Sequence, residues 1–240
     1  MASKFFGEFM GTLILILMGN GVVANVVLKR SKGEGSGWIV ITAGWAFAVM
    51  TGVLTAIACG SPDAHLNPAV TVGMAMRSGD FSNVAPYLLA QLLGAMCGAT
   101  LVWLNYLPHW EVTPDADAKF GCFGTAPAIA KTSWNFFSEA LGTFVLILVA
   151  SALGSKALGP MVAGMGPYLV GMLVWAIGLS LGGTTGYAIN PARDLGPRIM
   201  HSILPIAKKR ATDWNYAAVP VAGPLVGAAI AGLFVRMVGF

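Results

Sequence analysis

The sequence predicts an all-α membrane protein in which six spanning helices and two half-helices form an inverted 3+3 repeat. Three observations carry that expectation. The chain is too apolar for water, its apolar blocks have membrane-spanning length, and a Glu-x-x-Gly-Thr segment followed later by Asn-Pro-Ala occurs twice. Of 240 residues, 56% are hydrophobic and 10% charged, with a mean hydropathy of +0.74. A soluble domain carries about 25% charged residues, so this composition excludes a soluble globular enzyme, a disordered tail and a nucleic-acid binder. The net charge of +4 arises from 14 basic and 10 acidic residues. Glycine, at 31 residues, suits close helix packing in lipid. Three cysteines, Cys59, Cys97 and Cys122, make no disulfide or zinc framework, and no metal or cofactor is expected.

A hydrocarbon core about 30 Å thick needs about 20 apolar residues per helix. Six blocks qualify: 5–28, 38–59, 85–106, 134–152, 160–181 and 216–238. The first is too long for the apolar region of a signal peptide and lacks a small-residue cleavage site, so it reads as a span. Two further apolar stretches are too short to cross, and each opens with Asn-Pro-Ala: Asn67 to Arg77, and Asn190 to about Ser202. Asn is a good N-cap, and proline is favoured in the first turn because its missing N–H had no helical partner there. Each therefore reads as a half-helix.

The halves repeat. Phe5-Phe6-Gly7-Glu8-Phe9-Met10-Gly11-Thr12 matches Phe136-Phe137-Ser138-Glu139-Ala140-Leu141-Gly142-Thr143. The chain reads as one channel domain over 1–240, with repeats at 1–110 and 134–240. Three spans per half is an odd number, so the second copy crosses in the opposite sense, which places a functional site near the midplane where broken helices meet.

The half-helix N-termini then face each other, each with about half a positive charge and unpaired N–H groups. Asn67 and Asn190 can donate to an oxygen passing between them. Irregular backbone survives at this depth only beside a cavity, so the carbonyls of Ala64, His65 and Leu66, and of Gly186, Tyr187, Ala188 and Ile189, are expected to face a polar pore. Arg193 is a charge inside the membrane and is expected to face that pore; snorkelling to the interface is the alternative. Asp194 and Arg198, at i,i+4, can form a supporting pair. Glu8 and Glu139 are expected to accept backbone hydrogen bonds from the non-helical loops; interfacial placement is the plainer reading. His65 has no second histidine nearby, so a loop-bracing or pore-lining role is favoured over a proton relay or metal ligand. Gly178-Leu179-Ser180-Leu181-Gly182 fits a hydrolase motif, but it ends an apolar helix rather than a strand-to-helix turn. No enzyme is expected.

Over nearly its whole length the chain resembles the aquaporin (major intrinsic protein) family. The resemblance rests on Ala64-His65-Leu66-Asn67-Pro68-Ala69-Val70-Thr71, on Gly186-Tyr187-Ala188-Ile189-Asn190-Pro191-Ala192-Arg193-Asp194, on the two Glu-x-x-Gly-Thr segments and on Gly223-Pro224-Leu225-Val226-Gly227-Ala228. It is most similar to the glycerol facilitator branch, through Asp194 and the loop Lys119-Phe120-Gly121-Cys122-Phe123. The resemblance implies a pore in each subunit of a homotetramer and a constriction at Phe47, Gly178, Tyr187 and Arg193, with Trp45 as the alternative to Phe47. Water-specific members place His where this chain has Gly178, so its absence implies a wider pore. Tyr187 departs from the usual Phe, and Ser61-Pro62-Asp63 from the usual Ser-Gly.

The family places both termini in the cytoplasm. The outer side then carries most of the basic residues, against the positive-inside rule, and the resemblance is preferred because long loops weigh little in that rule. The expected function is a passive plasma-membrane channel for glycerol, other small uncharged solutes and water, with protons excluded at the paired Asn-Pro-Ala motifs. The alternatives are a channel for lactic acid in its neutral form, drawn to the basic outer mouth, and a secondary transporter.

Overall fold

The computed structural model describes residues 2–162 and 164–240. In chain order its helices are α1 (Lys4–Val27), α2 (Trp38–Ala58), α3 (Pro68–Ser78), α4 (Val84–Asn105), α5 (Leu107–Val112), α6 (Ala116–Gly121), α7 (Thr132–Leu153), α8 (Gly159–Val162), α9 (Gly166–Ser180), α10 (Pro191–Ile203) and α11 (Ala218–Val238). Among the described residues there is no strand. Among those residues five helices, α1, α2, α4, α7 and α11, are long and apolar enough to cross a membrane.

The expected span at 160–181 departs from a single helix. The first piece, α8, ends at Val162, and α9 starts only at Gly166 and runs 15 residues. At about 1.5 Å per residue that is roughly 22 Å, short of a full crossing. Two local causes are visible. Gly164 takes a left-handed φ of +78°, which ends a right-handed helix, and Pro167 occupies the first turn of α9, where its absent N–H costs nothing.

The two halves pack alike. In the first, α1 lies against α2 and α4; in the second, α7 lies against α9 and α11. Between halves, α3 packs on α11, α10 on α4, and α2 on α9. Each half-helix thus leans on the last long helix of the other half. Glycine permits the closest crossings: a Cβ on Gly94 of α4 would collide with the Phe9 carbonyl of α1, and one on Gly227 of α11 with the Ala140 carbonyl of α7. In lipid, helix association relies on this close packing, since the tails are as apolar as the side chains.

Candidate conduction pore

The half-helices begin as their sequence dictates. Asn67 and Asn190 both have extended backbones, and their Oδ1 atoms accept the Ala69 and Ala192 amides at 2.8 and 3.0 Å. Asn190 Oδ1 also accepts from Arg193 N at 3.1 Å. The opposite face of each amide crosses the midplane. Asn67 Nδ2 donates to the Ile189 carbonyl at 2.8 Å, and Asn190 Nδ2 donates to the Leu66 carbonyl at 2.9 Å. The two caps are therefore locked reciprocally, each to the loop of the other half. One N–H of each amide is spent on this lock, which leaves the second for the cavity that both side chains line.

The loops entering the half-helices are strained in a regular way. Ala64 and Leu66 have φ of +43° and +52°, and Tyr187 and Ile189 have +37° and +41°. Such conformations are rare for non-glycine residues and rarest for a β-branched one such as Ile189; each costs on the order of 1–3 kcal/mol. The carbonyls of two of these strained residues, Leu66 and Ile189, are the acceptors of the cross-half Asn bonds.

Two buried carboxylates hold these loops in place. Glu8 Oε1 accepts from Ser61 Oγ and His65 N, both at 2.8 Å, and Oε2 from Leu66 N at 2.7 Å and Gln91 Nε2 at 2.8 Å. Glu139 Oε1 accepts from Thr185 Oγ1 at 2.6 Å and Ala188 N at 3.0 Å, and Oε2 from Ile189 N at 2.8 Å. Both carboxylates are enclosed by protein: Glu8 is 0% and Glu139 1% exposed. A buried anion is tolerated when its acceptor capacity is filled, and charge-assisted bonds of this kind are the stronger class. His65 lines the cavity while its Nδ1 meets Thr71 Oγ1 at 3.1 Å, and its ring packs edge-on against Tyr87.

A cavity of about 380 Å³ runs past these loops. Its ends are fixed by α1: Lys4, at the start of that helix, pairs with Asp63, and Gly19, near its far end, packs against Trp45. Its apolar lining includes Trp45, Val49 and Val53 of α2, Leu146 and Ala150 of α7, and Val170 and Val174 of α9. The loops and caps add Asn67, Asn190, Ala64, His65, Leu66, Tyr187, Ala188 and Ile189. At the Trp45 end the Arg193 guanidinium lies over the Trp45 ring, 4.2 Å from its centroid, and donates weakly to the Phe123 carbonyl at 3.5 Å. Cation–π stacking holds the charge without neutralising it.

Three expected lining residues are placed differently. Phe47 does not face the cavity. It is 47% exposed and sits with Met18 and Val22 beside an outer groove. Two residues along a helix is a rotation of about 200°, so the α2 stripe that faces inward is Trp45, Val49 and Val53, and Phe47 lies on the opposite face. Gly178 is buried but does not line the cavity. A Cβ there would stand 2.8 Å from Tyr187 Cζ, so the space it leaves is taken by the Tyr187 ring rather than by a passing solute. Gly186 also stands off the cavity and makes the turn into the loop, with φ of +80°.

Beyond Arg193, Asp194 and Arg198 form a fully buried ion pair, Nε to Oδ1 at 2.6 Å. Asp194 Oδ2 also accepts from Thr125 N and Thr125 Oγ1, both at 2.7 Å, and Arg198 Nη2 donates to the Thr125 carbonyl at 2.8 Å. The pair therefore staples the long connecting loop onto α10. Of the two registers the sequence leaves for α2, the structure has the one with Trp45 inward; sequence reasoning missed the donors Ser61, Gln91, Thr185 and Thr125. All four donors are small polar or amide residues inside or beside apolar sequence, which is the signal that marks them.

A broken-helix channel with two half-helices meeting at a cavity is the class this architecture defines. The comparison with known proteins agrees: residues 1–235 match the Major intrinsic protein family, and the chain belongs to it. Over 234 residues it is 57% identical to a glycerol uptake facilitator protein of Streptococcus pneumoniae, covering 97% of this chain and 98% of that one. Glycerol uptake facilitator protein 3 of Lactiplantibacillus plantarum is 54% identical, over 97% and 95% of the two chains. A D/L-lactic acid transporter of the same organism is 39% identical, over 98% of each. The X-ray structure of the aquaglyceroporin from Plasmodium falciparum superposes with a TM-score of 0.81 at 29% identity, covering 98% of this chain and 95% of that one. The chain is thus an integral membrane protein and a passive channel, not an enzyme.

Proposed function

We propose that this channel conducts glycerol, other small uncharged solutes and water, and selects among them at the corner made by Trp45, Tyr187, Arg193 and the backbone beside Gly178. The observation that carries this reading is the mixed lining. Apolar side chains, Trp45, Val49 and Val53 among them, share the lining with the loop residues Ala64–Leu66 and Tyr187–Ile189 and with Arg193, whose guanidinium lies over the Trp45 ring. A polyol presents a carbon skeleton on one side and hydroxyls on the other, and such a wall replaces its hydration only where both sides are matched. The relatives named glycerol uptake facilitators support the same solute class.

Proton exclusion follows from the opposed half-helix N-termini and from the Asn67 and Asn190 amides, which orient a central water as donors toward its oxygen. Positive potential from helix ends bars cations at such a pore. The molecule is further proposed to lie in the plasma membrane with both termini cytoplasmic, as one domain per pore in a homotetramer.

Stopped-flow light scattering on proteoliposomes tests the reading. Glycerol and water fluxes are expected to exceed those of empty vesicles, to scale linearly with the gradient and to ignore proton or sodium gradients. Flux driven by an ion gradient would instead identify a secondary transporter.

A second reading, passage of lactic acid in neutral form, is favoured by the Arg193 donors inside the cavity and by the lactic acid transporter among the relatives. The basic mouth is partly neutralised by ion pairs: Arg210 meets Asp117, whereas Lys209 and Lys119 donate to backbone carbonyls and keep their charge. Lys29 pairs with Glu34, whose carboxyl is held below its ordinary range by that hydrogen bond first and by the Arg30 amide second. Lactate-dependent flux no higher than in empty vesicles between about pH 4 and 7, around the usual carboxyl range, would remove this reading.

A further inference from the structure

Trp38 is the first residue of α2, and its indole reaches across to the end of α9. Its Nε1–H donates to the Gly178 carbonyl at 3.2 Å. Its ring meets that of Tyr187 edge-on, with centroids 5.8 Å apart and planes at 81°. Little slack remains between them: a Cβ on Gly182 would stand 2.9 Å from Trp38 Cζ2 and closer still to Tyr187 Cδ1. A second indole, Trp175 of α9, donates to Thr42 Oγ1 one turn further along α2, also at 3.2 Å. Two N–H clamps thus join the same pair of helices. Of the two, the Trp38 indole is the one that meets both Gly178 and Tyr187.

The Tyr187 ring depends on such support. Its hydroxyl is buried and has no hydrogen-bond partner among the described residues, so no protein group holds the ring through a polar contact. Its position follows from a backbone at φ of +37°, from Gly178 on one side and from the edge of Trp38 on another. A ring held by packing alone moves when its neighbour yields, because interiors have few voids to absorb a shift.

We propose that Trp38, which does not line the cavity itself, is a positioning residue for size selection: by gripping the Gly178 carbonyl and bracing the Tyr187 ring, it sets the width of the outer corner. The inference rests on the selectivity corner described under the proposed function. It predicts that loosening this brace widens the corner for larger polyols.

The test uses the full chain in proteoliposomes and reads the ratio of xylitol to glycerol permeability in the same vesicles, a ratio that yield and insertion do not move. Trp38→Phe keeps an aromatic edge and removes the N–H. It is expected to raise the ratio about threefold, the scale of one neutral hydrogen bond. Trp38→Ala removes both contacts and is expected to raise it further, and Trp175→Phe, which removes the other clamp, to leave it at the wild-type value. An unchanged ratio in Trp38→Phe overturns the inference, as does an equal rise in Trp175→Phe, which would assign the effect to general α2–α9 packing. Gly178→Ala separates the two levels. If it alters the ratio while the Trp38 variants do not, only the role of Trp38 fails. If none of them alters it, the selectivity corner fails as well.

Discussion

Adding one methyl group at Gly178 is expected to slow glycerol far more than water. In the Gly178→Ala variant the new Cβ stands 2.8 Å from Tyr187 Cζ, 3.0 Å from its hydroxyl and 3.1 Å from Thr42 Cγ2. Carbon atoms settle at about 3.5 Å or more, so the ring must retreat by roughly 0.7 Å. Two directions are closed: the edge of Trp38 lies against the ring, and the following backbone is tied to Glu139 through Ala188 N and Ile189 N. The remaining direction is into the cavity. Overpacking of this kind costs about 1–3 kcal/mol. Where a passing solute must push the ring back, that energy adds to its barrier, and at about 1.36 kcal/mol per tenfold in rate glycerol slows by roughly 5- to 150-fold. Water, one heavy atom wide, does not need the ring to move. Both fluxes are measured by stopped-flow light scattering on the same proteoliposomes. Equal fold losses would show that the ring does not enter the path, and no loss in either would show that the narrowest point lies elsewhere.

The α2 register gives a paired expectation: Trp45→Ala changes the glycerol-to-water ratio and Phe47→Ala does not, with the opposite pattern returning Phe47 to the pore. In Glu139→Gln, whichever way the amide lies, one of the Ala188 and Ile189 N–H groups meets an NH₂ instead of an oxygen. Losing a charge-assisted bond worth about 1.5–3 kcal/mol is expected to lower the thermal midpoint in detergent by about 5 °C, and an unchanged midpoint would count against the loop-holding role. Asp194→Ala leaves Arg198 buried without its partner, a loss of about 3–5 kcal/mol, so its midpoint is expected to fall further than that of Glu139→Gln; a smaller fall would contradict the stapling of the connecting loop. Because Cys59, Cys97 and Cys122 all lie off the cavity lining, mercurials are expected to leave flux unchanged, and a thiol-reversible block would show a cysteine reaching the path.

What was legible in the sequence is what local chemistry encodes. Asn67-Pro68 and Asn190-Pro191 announce helix starts because an amide cap and a proline in the first turn act within three residues. Glu8 and Glu139 were legible through repetition, since two carboxylates at matched positions in apolar helices demand donors. The rotation of α2 was not legible. That helix is apolar on every side, with Trp45 and Phe47 equally suited to lipid or cavity, so it has no polar face to set a phase. The break before α9 carried its signal in Gly164 and Pro167, but the apolar run continued through them and masked it. The left-handed φ of Ile189 runs against the preference of its own side chain; Glu139, 50 residues earlier, holds it there. The partners of Lys119 and Lys209 were hidden for the same reason, because they are carbonyls whose availability depends on where α10 ends.

The reciprocal lock between the two Asn caps also bears on how the chain is made. Asn67 bonds a carbonyl 122 residues downstream, and Asn190 one 124 residues upstream. Neither bond exists until the second re-entrant loop has been synthesised and inserted. During translation the first loop therefore waits at the bilayer with its cap amide unpaired toward the missing half. The midplane junction, the most central part of the finished molecule, is among the last to close, and truncation anywhere before Ile189 leaves it open.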